Sequence, residues 1–114
     1  MSYVDGFVIA VPTANRDAYR ALASDMSKKF KEWGALSVVE CWGDDVPQGK
    51  LTSFPMAVKC GADETVVFSW IVWPSKAVRD EGNKKMMSDT SMPKSMPFDG
   101  KRMIYGGFEP IVEA

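Results

Sequence analysis

The chain has 114 residues, 46% apolar and 25% charged, enough to bury one hydrophobic core without disulfide or metal staples and too few for a second domain. Fourteen basic against fifteen acidic residues leave a net charge of -1, so no overall attraction to phosphate draws the protein to nucleic acid. Cys41 and Cys60 lack a CxxC spacing and there is no histidine, which argues against a zinc or redox centre and for two reduced thiols.

The opening "MSYVDGFVIAV" has no basic leader, and no stretch reaches the length needed to cross a bilayer; a cytoplasmic protein away from membranes is expected. The first strand is predicted over Tyr3 to Val11, rich in β-branched and aromatic residues and stopped by Pro12. A helix comes next, with Thr13 as its expected N-cap, Gly34 as its C′ residue, and Tyr19, Leu22, Ala23, Met26, Phe30 and Trp33 as one apolar stripe. Arg16, Arg20 and the other charges between these positions read as its wet face. "ALSVVECWG", residues 35 to 43, is the second strand, ended by "DDVPQG". Ser53 and Pro55 suggest one short helical turn within a packed excursion.

"ETVVFSWIVW", from Glu64 to Trp73, is the clearest strand, halted by Pro74. Ser75 then caps a second helix to about Met87, with Ala77, Val78, Gly82 and Met86 as a narrow inner face. A loop closed by Asp99-Gly100 leads to a last strand from Lys101 or Arg102 to about Val112. The order strand, helix, strand, strand, helix, strand predicts an α+β, ferredoxin-like βαββαβ fold: a four-stranded antiparallel sheet with both helices on one face.

Helices on one face leave the other to account for. Val66, Phe68, Trp70 and Val72 alternate with Val67, Ile71 and Trp73, so both faces of the third strand are apolar. An uncovered apolar face of that size predicts a homodimer, sheet against sheet, paired as a dimeric α/β barrel. Gly106 and Gly107 delete side chains from both faces at one level, with Gly6 as a further gap. Bulky neighbours, a β-bulge or a small ligand are the three ways to use that space.

The blocks "SYVDGFVIAVP", "DDVPQGKLTSFP", "DETVVFSWIVWPSKAVRDEGNKKMM" and "MPFDGKRMIYGGFEPIV" resemble, in order and over essentially the whole chain, the YbaA-like family of small uncharacterised bacterial proteins. The resemblance implies a dimeric α/β barrel without an assigned activity. Similar folds serve cofactor-free or haem-handling monooxygenases, isomerases and plain ligand-binding proteins, so no catalytic motif carries over.

Without histidine, the usual general base, haem ligand and activator of serine or cysteine are missing, and no cofactor is expected. Carboxylates remain. Asp5 lies between Tyr3 and Phe7 in strand parity, and Glu40 between Val38 and Trp42. Each is either a proton-transfer group in a partly apolar space or a structural charge paired with an arginine such as Arg79 or Arg102. Glu109, after the double glycine, reads as a strand-end charge. Trp42, Trp70 and Tyr105 are candidate stacking surfaces for a planar ligand and Asn83 a candidate amide contact, with core, dimer interface or an ordinary helix-to-loop bond as the alternatives. Two readings result: a homodimer that binds a small molecule or serves a structural role, or a cofactor-free enzyme, monooxygenase- or isomerase-like, using Glu40 or Asp5 on a small organic substrate.

Overall fold

A computed structural model describes residues 2–114. Ten-residue β1 (Tyr3–Pro12) runs antiparallel to β3 (Glu64–Trp73) along its whole length, Tyr3 opposite Trp73 and Pro12 opposite Glu64. β2 (Ser37–Trp42) flanks β3, and β4 (Ile104–Phe108) flanks β1, giving the order β2-β3-β1-β4. With α1 (Arg16–Glu32) and α3 (Lys76–Met87) this is the ferredoxin-like α+β arrangement. A single turn, α2 (Phe54–Ala57), interrupts the β2–β3 connection.

Local chemistry accounts for most boundaries. The Ser75 hydroxyl accepts from the Val78 N–H at 3.2 Å to start α3, and the Ser53 hydroxyl accepts from the Met56 N–H at 3.1 Å to start α2. At the end of α1, Ala35 N–H reaches Phe30 O at 2.9 Å and Gly34 N–H reaches Lys31 O at 3.2 Å, a Schellman closure. It requires Gly34 at φ 111°, a region that side-chain-bearing residues avoid.

Three boundaries differ from expectation. Thr13 does not cap α1: its N–H continues the β1–β3 ladder to Asp63 O at 2.9 Å, and Thr13–Asn15 instead form a 3-10 turn with no side-chain cap. β2 begins at Ser37, because the Ala35 N–H belongs to the helix closure. β4 is short. Gly100–Arg102 form a 3-10 turn capped by Asp99, and Pro110, which has no N–H, stands just past Phe108.

On the helix side, Ile9, Val11, Tyr19 and Val67 form one buried cluster and Ala35, Ile71 and Trp73 another. Gly82 lets α3 approach the Trp73 ring so closely that an added Cβ would lie 2.5 Å from it. The helix-free side is divided. At one end the 43–63 excursion covers it, burying Val58 against Val8, Ala10 and Val66. Arg102 fastens this cover, donating to Lys59 O at 2.8 Å and, with two nitrogens, to the Glu64 carboxylate at 2.7 Å. Beside this cover Phe68 (44% exposed), whose ring meets Phe54 at 5.6 Å, and Ile104 (45%) stay partly open to solvent, as does Phe108 (60%) further along the sheet.

The double glycine leaves no hollow. A Cβ on Gly107 would collide with the Tyr3 hydroxyl and the Arg79 guanidinium on the helix side, while the Phe108 ring lies across Gly6 and Gly106 on the other. Neighbouring side chains fill both gaps.

Candidate functional site

Asp5 and Glu40 both point to the helix side, into different surroundings. Asp5, 5% exposed, accepts from Arg79 Nε at 3.0 Å on Oδ1 and from Trp73 Nε1 at 3.0 Å on Oδ2, and Arg79 Nη2 lies 2.9 Å from Oδ1. Arg79 also bonds Asp80 at 2.9 Å and stacks over the Tyr3 ring at 5.1 Å. The Asp5 hydrogen bonds, first among several causes, push the Arg79 guanidinium further up from its already high pKa. No buried side-chain polar atom among the described residues lacks a partner, so the cluster is built to hold still.

Glu40 sits on edge strand β2, opposite Ser69 of β3. The residue as a whole is exposed, but its carboxyl faces inward, where the Tyr19 hydroxyl donates to it at 2.6 Å in a half-buried bond. Loss of hydration pushes its pKa above the carboxylate value of 4.5, against the opposing pull of hydrogen bonds from Tyr19 and Ser69. Burial, together with the nearby Glu40 charge, pushes the Tyr19 phenol far up, so it stays a donor. Glu40 enters no ion pair among the described residues.

Beside this pair opens a groove of roughly 350 Å³ between α1 and β2, walled by Arg16, Tyr19, Arg20, Ala23, Ser24 and Ser27 on the helix and by Val38, Glu40, Cys41 and Trp42 on the strand, with Val67 below. Its origin is steric. The α1 residues facing β2 are short at Ala23, Ser24 and Ser27, so their side chains do not fill the space between the helix and the edge strand. Val38 and Trp42 share the parity of Glu40, and the Arg16 guanidinium stands 5.7 Å over the Trp42 ring.

Of the residues singled out from the sequence, Glu40 and Trp42 therefore meet at one groove and Asp5 lies apart from it. Trp70 is on the helix-free side, tilted against Phe68 at 5.6 Å. Tyr105, 73% exposed, stacks on Phe7 at 6.4 Å on the far edge strand, and Asn83 is half-buried on α3. Arg16 and Arg20 are solvated as read, yet both also line the groove; their i, i+4 spacing on the flank that carries Tyr19 and Ala23 is the signal that marks them. Tyr19 was hidden by its apolar stripe.

The architecture places the chain among ferredoxin-like α+β proteins. A Bacillus cereus protein provisionally named an antibiotic biosynthesis monooxygenase superposes over 99% of this chain and 96% of its own with a TM-score of 0.51; at 12% identity that likeness is one of fold. By sequence the chain belongs to the DUF1428 family of proteins of unknown function, whose profile matches residues 2–100. The uncharacterised protein YbaA of Escherichia coli K12 is 62% identical over 116 residues, 99% of each chain, and YbaA of Shigella flexneri matches to the same extent. The resemblance read from the sequence blocks is thereby borne out. No helix among the described residues is long and apolar enough to cross a membrane.

Proposed function

We propose that this protein is a cytoplasmic homodimer that binds a small organic molecule in the groove between α1 and β2. The observation that carries the binding site is a carboxyl group that enters no ion pair among the described residues, held by Tyr19 at 2.6 Å at the wall of an open groove. The dimer reading is supported by the uncovered part of the helix-free face, where Phe68, Ile104 and Phe108 are exposed beside half-buried Val4, Trp70 and Val72. Pairing that face leaves the groove, on the opposite side of the sheet, free to take a ligand. Free thiols at Cys41 and Cys60 agree with a reducing compartment.

Amide NMR during titration with a fragment library tests the site. Shifts clustered at Tyr19, Glu40 and Trp42 are expected; shifts confined to the Phe68–Trp70 side overturn it. Sedimentation as a stable monomer at low micromolar concentration would remove the dimer.

A second reading rests on the Glu40 carboxyl standing at the wall of an open groove, with burial raising its pKa in the direction that suits proton transfer. Here the protein is a cofactor-free, isomerase-like enzyme: Glu40 accepts a proton from one carbon of the substrate and returns it to another, with no other reactant consumed. Turnover retained in Glu40→Gln excludes this reading and leaves binding intact.

A further inference from the structure

We infer that the ligand of the α1–β2 groove is a small planar organic acid whose carboxylate is taken by Arg16 and Arg20 and whose apolar body lies along Trp42 and Val38 toward Glu40. This rests on the groove being the binding site, and goes beyond it by naming the ligand's charge and shape.

Three features of the groove carry the inference. Arg16 and Arg20 stand one helical turn apart on the wall, and neither enters an ion pair or a side-chain hydrogen bond among the described residues, although Arg79 and Arg102 each hold carboxylates with two or more nitrogens. Unspent guanidinium forks beside a cavity match a planar oxyanion. The Trp42 ring, already under the Arg16 guanidinium at 5.7 Å, continues with Val38, Ala23 and Val67 as an apolar surface for a flat body.

Charge sets the valence. Arg16 and Arg20 outnumber the single Glu40 carboxyl, so positive charge is left unbalanced in the groove, and the two oxygens of a planar monoanionic carboxylate match the guanidinium fork. At roughly 350 Å³ the groove is near the lower limit of ligand sites, about 300 to 1,000 Å³, so the acid is small.

Salicylate, its neutral amide salicylamide and phenyl phosphate serve as matched probes, followed through the amide signals of Tyr19, Glu40 and Trp42. Salicylate is expected to bind about tenfold or more tightly than salicylamide, from charge-assisted hydrogen bonds. That preference should fall when salt is raised, and disappear in the Arg16→Gln/Arg20→Gln double variant. Both side chains are exposed, so the variant should melt like the parent. Equal binding of acid and amide at the groove overturns the anion and spares the groove; tighter binding of phenyl phosphate overturns the monoanion. Signals that move only elsewhere, or for none of the three probes, overturn both.

Discussion

Asp5 and Glu40 share a strand parity, a helix-side orientation and an aromatic hydrogen-bond donor, and differ in almost everything that decides use. Asp5 lies on a central strand, 5% exposed, clamped by Arg79 and Trp73. Glu40 lies on an edge strand, held by Tyr19, in no ion pair among the described residues and with open space beside it. A buried charge must be neutralised where it stands; one at an edge can keep its valence for a visitor. The contrast teaches that a carboxylate's neighbours, more than its burial, separate scaffold from site.

The contrast breaks most sharply at Asp5. Asp5→Ala leaves the Arg79 charge and the Trp73 N–H without their acceptor and should cost about 3–5 kcal/mol in urea unfolding, enough to abolish most of the stability of a domain this size. Next comes Gly107→Ala, whose methyl would displace Tyr3 and Arg79 from the same cluster; about 1–3 kcal/mol of overpacking is expected, read as a lower denaturation midpoint. At the other carboxylate, Tyr19→Phe removes one hydrogen bond and should cost about 0.5–1.5 kcal/mol. Because that bond favours the charged form, carbon-detected NMR titration should show the Glu40 pKa rising further in the variant.

The smallest effect is one of pH. A carboxyl whose folded pKa is raised favours the folded state fully below its unfolded value of 4.5 and loses that contribution as pH climbs through the raised one. Glu40→Gln should therefore gain stability relative to the parent as pH rises from below 4.5 through the raised pKa, read as denaturation midpoints of the two proteins across that range. A difference independent of pH would mean that Glu40 is as well hydrated as any surface carboxylate.

Much of this fold was legible because punctuation and pattern agree. Pro12 and Pro74 end strands, Ser53 and Ser75 cap the two helices that begin beside them, and the unbroken apolar run of β3 marks it as the sheet's centre. Thr13 misled because a cross-strand bond to Asp63 outweighs local capping preference, and β4 because a 3-10 turn shortens it. The Asp5–Arg79 pairing was within reach as a residue-type argument. The groove was not, since it arises from the short side chains that α1 turns toward β2, and periodicity says which flank of a helix is apolar without saying which strand it overlooks.

Arg102 has a mechanical consequence. A single guanidinium joins the beginning of β3 to the carbonyl of Lys59, so the flap over Val8 and Ala10 is latched from a residue about forty positions downstream and cannot lift without tugging the approach to β4. The latch is insensitive to ordinary acidity: Arg102 and the Gly61 N–H hold the Glu64 carboxyl down to about 2, so it stays ionised at any pH a cell experiences. The helix-free face over Val8, Ala10 and Val66 is thereby closed, which confines the proposed pairing surface to the part that stays open around Phe108.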